Sequence, residues 1–139
     1  PMMRGATPAT AAPSTRAPAD EIALGGKLVK EGDASRQLPS CVSCHGATLT
    51  GVEPAIPGLV GLYPPYMSAQ LGAWKDNKRH AMKPDCMHEM AVKLTPQDIA
   101  AVTAWLVAQP VPADPRPAKA ETLPKLPLEC GGLNTKGTR

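Results

Sequence analysis

Two thiols and an imidazole stand together at Cys41-Val42-Ser43-Cys44-His45. Cysteines at this spacing lie about one helical turn apart, so each can form a thioether with a haem vinyl group, and the adjacent histidine then falls beneath the iron as proximal ligand. The other chemistries open to such a pair fit worse. A thioredoxin-type dithiol follows a strand in a βαβ pattern, which this chain lacks. Structural zinc takes four ligands in paired knuckles, and Cys86 and Cys130 make no second C-x-x-C. The expected cofactor is one covalent haem c, with iron at its centre.

The pentapeptide belongs to a longer pattern. Gly26-Lys27-Leu28 with Gly32-Asp33, Pro39 before the cysteines and Gly46 after the histidine are followed by Ile56-Pro57-x-Leu59-x-Gly61 and Tyr66-(x)3-Gln70-Leu71. Arg79, then Met87-(x)2-Met90-Ala91-(x)2-Leu94-Thr95 and Ala104-Trp105-Leu106, complete it. Over about residues 22–108 this resembles the class I cytochromes c, most of all one half of the two-haem periplasmic cytochromes c of proteobacteria. Only one C-x-x-C-H is present, so a single haem is expected here.

The resemblance implies a fold: all-α, with three main helices and irregular loops around the haem. It also implies a sixth iron ligand, a methionine on the loop before the last helix. Met87 stands at that position; Met82 is its rival, Met90 is expected in the core, and His80, His88 and Cys86 lie close enough to compete. Both histidines are otherwise expected at the solvated surface. Pro57 matches the proline beside the proximal ligand, where a neighbouring carbonyl can hold the imidazole N–H. Leu59, Tyr66, Gln70, Leu71 and Trp74 are expected to line the haem or its adjoining core. Arg79 either pairs with a haem propionate or stays at the surface, and Gly26 and Trp105 mark the crossing of first and last helices.

The elements that must position these residues can be read locally. Asp20 to Val29 reads as an N-cap and a short amphipathic helix, with Ile22, Gly25, Gly26 and Val29 on one face and Gly32 as its stop. A Gly/Pro-punctuated loop runs from His45 to Tyr63. A second helix is expected from Tyr66 to about Asp76, after Pro64-Pro65. Thr95-Pro96-Gln97-Asp98 is a strong helix start, and that third helix carries Ile99, Val102, Trp105 and Leu106 inward until Pro110. No useful length alternates with period two.

Aromatics make up 3% of the 139 residues and there is no Phe, so side chains alone supply little bulk; a large flat cofactor would fill such a core. The chain divides into an Ala/Pro-rich flexible tail (1–19), a cytochrome c domain (20–109) and a Pro-rich, polyproline-like extension (110–139). The net charge is +3, yet residues 20–109 hold eight Lys and Arg against nine Asp and Glu, so the excess lies in the ends. Nothing favours nucleic acid, since there is no basic stripe interleaved with aromatics. The longest apolar stretch, Ile99 to Ala108, is too short to cross a bilayer. No intact signal peptide is visible, and the first residues resemble what remains after a leader is cleaved.

An oxidising compartment such as the periplasm is expected. There the leftover Cys86 and Cys130 invite a disulfide, the alternatives being free thiols or an intermolecular bridge. Lys75, Lys78, Arg79, His80 and Lys83 form a dense positive run: either a docking patch for an acidic redox partner or a solvated helix face. The functional expectation is a monomeric single-electron carrier that docks transiently between periplasmic redox partners, a dehydrogenase or respiratory complex on one side and an oxidase or another cytochrome on the other. An alternative is a haem enzyme, a peroxidase or sulfur-compound oxidoreductase, with its distal position open or weakly held. A third is a subunit recruited to a dehydrogenase through the Pro-rich ends.

Overall fold

The computed structural model describes residues 17–122, 125–128, 130 and 131. The first 16 residues, most of the expected N-terminal tail, lie outside that range, as do 132–139.

Helix α1 spans Ala19–Lys30 with Pro18 at its N-cap, two residues earlier than the Asp20 cap expected from sequence. Asp20 and Glu21 in its first turn and Lys27 and Lys30 in its last complement the helix dipole. Gly25, Gly26, Leu28 and Val29 are buried, so the inward face falls where the pattern put it. Two short elements follow, a 3-10 turn at Ala34–Arg36 and helix α2 at Val42–His45, and then, after a long loop, helix α3 at Pro64–Lys75. Both prolines are inside α3 and not before it. Their missing N–H groups fall among the first four, which have no intrahelical acceptor in any case. Helix α4 covers Cys86–Ala91, where a loop was expected, with the Asp85 carboxylate accepting the His88 N–H at 3.1 Å as its cap. Helix α5, Pro96–Val107, starts on a reciprocal capping box between Thr95 and Asp98. Among the described residues there is no strand, only three isolated bridges.

Helices α1 and α5 form the principal contact. A Cβ on Gly25 would collide with the Ala101 carbonyl, and one on Gly26 would meet the Trp105 indole at 2.6 Å, so backbone lies against helix where larger residues would hold it off. The Gly26–Trp105 crossing expected from the resemblance is present. Around it lies one core cluster of Leu28, Val29, Leu38, Leu49, Met67, Leu94, Val102 and Leu106. Arg36 braces the loop after α1 against α5, donating to Asp98 at 2.7 Å, to Asp33 at 2.9 Å and to the Lys93 carbonyl at 3.2 Å.

The extension beyond α5 is no free spacer over its described part. Ala118 pairs in parallel with Val52, donating to the Gly51 carbonyl at 2.9 Å and accepting from Glu53 N–H at 2.8 Å. Farther on, Gly131 N–H donates to the Pro84 carbonyl at 2.9 Å.

Candidate haem site

Helix α2 is a single turn, and it places the three reactive groups: Cys41 is its N-cap, Cys44 and His45 lie within it, and His45 N–H donates to the Cys41 carbonyl at 2.9 Å. His45 is 8% exposed, and its Nδ1–H donates to the Pro57 carbonyl at 2.7 Å. That bond fixes the tautomer, leaving the Nε2 lone pair as the free ligand position. The carbonyl is that of Pro57 itself. Burial lowers the pKa of His45, against the smaller opposing effect of the Pro57 bond, so the imidazole is held in the neutral, metal-ligating form.

Sequence reasoning missed the residue that brings Pro57 there. Gly51 has φ +92°, and a Cβ on it would lie 2.5 Å from the Ile56 carbonyl oxygen and 2.8 Å from Pro57 C. The 46–59 loop folds back on itself there, with Gly51 N–H donating to the His45 carbonyl and Leu59 N–H to that of Leu49. A glycine a few residues after the histidine was the available signal.

The two thiols argue against dithiol chemistry. Burial pushes Cys41 up to about 11, the nearby Cys44 adding to it, and burial likewise raises Cys44. A reactive C-x-x-C needs the opposite, a thiol pKa brought down towards neutrality. The two sulfurs are not joined to each other, so both are free to bond to another group. Among the described residues no cluster of three or more His, Cys, Asp or Glu could hold a metal ion, so a zinc knuckle finds no partners.

The surrounding residues fit a flat apolar group with polar edges. Cys41, Val42, Leu59, Val60, Leu62, Leu71, Met90 and Trp105 are only partly buried, yet all pack on the one core cluster, so each has apolar surface left to give. The buried Gln70 Oε1 has no hydrogen-bond partner among the described residues, so a polar edge of a bound group could supply one. Tyr66, expected in the pocket, is 50% exposed. Trp74 does two jobs: its carbonyl accepts the His88 Nδ1–H at 2.8 Å, and its ring carries the Arg79 guanidinium 5.4 Å from the centroid. His88 is thus half-buried and bonded, not the solvated residue expected, because α4 packs against the end of α3. His80 is exposed as expected.

Of the three methionines, Met82 is 69% exposed and Met90 packs on the core. Met87 is half-buried in the first turn of α4. Cys86, its neighbour, is joined to Cys130. In the basic run, Lys78, Arg79, His80 and Lys83 are exposed, but Lys75 is only partly so; its Nζ donates to the Leu94 carbonyl at 2.5 Å and the Val92 carbonyl at 3.4 Å. Lys75 therefore ties α3 to the α4–α5 connection and has little freedom to meet a partner.

Residues 22–109 match the family model described as Cytochrome c. A thiosulfate dehydrogenase electron acceptor from Thiomonas intermedia is 39% identical over 89 residues, which are 64% of this chain and 41% of that protein. Among solved structures, the thiosulfate dehydrogenase TsdBA from Marichromatium purpuratum aligns with TM-score 0.62 at 36% identity, over 68% of this chain and 21% of that one. Cytochrome c4 from Pseudomonas stutzeri aligns with TM-score 0.58 at 28% identity, over 65% of this chain and 48% of that one. This chain therefore spans well under half the length of the thiosulfate dehydrogenase electron acceptor, and about half that of cytochrome c4.

Proposed function

Since the chain belongs to the cytochrome c family and so carries covalently bound haem c, we propose that it is a single-haem periplasmic carrier, its haem attached at the C-x-x-C-H segment with His45 and Met87 as axial ligands, that takes single electrons from a dehydrogenase. The haem supplies the redox chemistry; the protein sets its access, its ligands and its docking. One observation carries the reading: a buried imidazole, aimed by the Pro57 carbonyl, sits on the same helical turn as two cysteines that are not joined to each other. Cys41 and Cys44 hold the group, His45 ligates from one side, and Leu59, Gln70, Leu71 and Trp74 border it. Met87 as the second ligand is supported by the exposure of Met82 and the core packing of Met90.

The donor class follows from the relatives. Two of the proteins most like this chain are named for thiosulfate dehydrogenase, one as its electron acceptor and one as the enzyme, of which this chain matches about a fifth. A thiosulfate-oxidising dehydrogenase is accordingly the proposed donor, met through the exposed cations Lys78, Arg79, His80 and Lys83 by an acidic surface. The carrier reading is favoured over a haem enzyme because Cys86, the thiolate that could have competed for iron, is bonded to Cys130. A pair of axial protein ligands leaves no position for substrate.

The test is optical and kinetic. The oxidised holoprotein should be low-spin with the weak near-infrared band of sulfur-to-iron ligation, and that band should vanish in Met87→Ala but persist in Met82→Ala. Thiosulfate with a thiosulfate dehydrogenase should reduce the haem, and thiosulfate alone should not. High-spin iron in the parent protein at neutral pH overturns the ligand assignment; no reduction by the dehydrogenase overturns the donor.

A further inference from the structure

The C-terminal extension lies beyond residue 109, where the family match ends, yet it touches both sides of the proposed haem site. Ala118 is bonded into Gly51 and Glu53 of the loop that carries Pro57 to His45. Cys130 is bonded to Cys86, next to Met87, with the two Cα atoms 5.2 Å apart, and Gly131 donates to the Pro84 carbonyl. Gly131 also lies so close that a Cβ there would collide with the Lys83 carbonyl.

The distal side has few other anchors. Helix α4 is six residues long, well below the length that is stable by itself. Residues 76–84 before it are exposed turns and bends. At its far end α4 is held by Met90 and the buried Ala91 and by Lys75 on the Val92 and Leu94 carbonyls; at the Met87 end it is held by the Asp85 cap, the His88–Trp74 hydrogen bond and the link to Cys130. Cys130 itself is 6% exposed, so the link is seated in the fold and not dangling from it.

We propose that the described residues of the C-terminal extension strap the two ligand segments together, Ala118 at the loop that carries Pro57 and Cys130 at α4, and that the Cys86–Cys130 bond is the latch, fixing α4 so that Met87 stays on the iron. Opening the latch with a small dithiol frees the distal position. In that step the Cys86–Cys130 S–S bond breaks, both sulfurs end as thiols, and the dithiol that supplies the two electrons and two protons closes to its own disulfide. Cys86 is the partly exposed partner and therefore the sulfur open to attack. The proposal rests on Met87 being the sixth ligand, so the experiment separates the two.

Holoprotein is held ferrous with ascorbate in every arm, and carbon monoxide association is followed by absorbance. The arms are oxidised parent protein, parent protein treated with a dithiol, Cys130→Ser, and Met87→Ala. Thiol labelling under denaturing conditions counts the cysteines released. Because ligand entry scales with the fraction of molecules whose distal position is open, dithiol treatment and Cys130→Ser should each raise the rate roughly ten-fold or more. In separate ferric samples free of ascorbate and dithiol, the near-infrared band should be weaker in Cys130→Ser than in the parent protein, with far-UV helicity kept. Two new thiols with unchanged carbon monoxide rate overturn the latch, provided Met87→Ala has lost the band. A band that survives Met87→Ala overturns the ligand assignment instead, and the latch with it. Should Cys130→Ser not fold, the dithiol arm on parent protein decides the question alone.

Discussion

Replacing Gly25 by alanine inserts one methyl group between α1 and α5. The new Cβ would meet the Ala101 carbonyl oxygen head-on, Ala101 C at 2.5 Å and Trp105 Cβ at 3.0 Å, whereas ordinary contact begins near 3.4 Å. Backbone cannot swing aside as a side-chain tip can, so the helices must part by about 1 Å. Leu28, Val29, Val102 and Leu106 belong to the core cluster on these two helices. Each contributes about 1.5–3 kcal/mol by burial; a gap of that size forfeits about half of the contact energy across the seam, and with roughly half of each residue's contacts lying there, about a quarter of its total. The loss comes to about 1.5–3 kcal/mol, offset by about 1 kcal/mol because alanine is the better helix former. A net destabilisation of about 0.5–2 kcal/mol remains. Gly72, inside α3, is the control, because a Cβ there meets nothing within 4 Å. Gly72→Ala should therefore show only the helix gain, about 1 kcal/mol of added stability. Guanidinium unfolding of the ferric holoproteins, followed by far-UV circular dichroism, reads both. With a slope of about 3 kcal/mol/M the midpoint should fall by about 0.2–0.7 M in Gly25→Ala and rise by about 0.3 M in Gly72→Ala. Two shifts of the same sign would refute the claim that backbone contact at Gly25 sets the α1–α5 distance.

Thr95→Ala removes half of the capping box on α5 and should cost about 1 kcal/mol in the same unfolding assay. Acid should weaken the brace between the first loop and α5. Asp33 is held down to about 2, chiefly by hydrogen bonds from Ser35 and Arg36; in Asp98 burial pulls upward, but bonds from Arg36 and Thr95 prevail and lower it. Carboxylates lowered in the folded state stabilise it fully above their ordinary value near 3.8 and lose that contribution as pH falls towards 2. Midpoints measured across this window should therefore drop for the parent protein and drop less steeply for Asp98→Asn. Charge reversal at Lys78 and Lys83 should slow electron uptake from an acidic partner at low ionic strength, with the difference fading near 1 M salt, where the Debye length is about 3 Å. Lys75→Gln should behave otherwise, lowering the unfolding midpoint with little change in salt dependence, because its ammonium is engaged by the Val92 and Leu94 carbonyls; a docking defect without destabilisation would contradict this.

Chemistry that depends on neighbours in the chain was legible in the amino-acid sequence itself. Cys41, Cys44 and His45 need only a turn of helix to come together, and Thr95 and Asp98 cap α5 from within four residues of one another. The period of apolar residues marked the inward faces of α1 and α5, and the paired glycines marked their crossing. Helix α4 left no such mark because six residues carry no periodic signal, and it exists through Asp85 and its packing on α3.

The sequence by itself showed how little aromatic bulk the chain has, and the order Cys41-x-x-Cys44-His45 pointed to haem attachment. Tertiary structure decided which partner each polar group finds: Arg36 with Asp98, Lys75 with the Leu94 carbonyl, His88 with that of Trp74, and Ala118 with Gly51. These pairings join residues distant in the chain, and a buried or half-buried donor takes whichever acceptor the packed helices bring within reach. No local pattern of residue types encodes that distance.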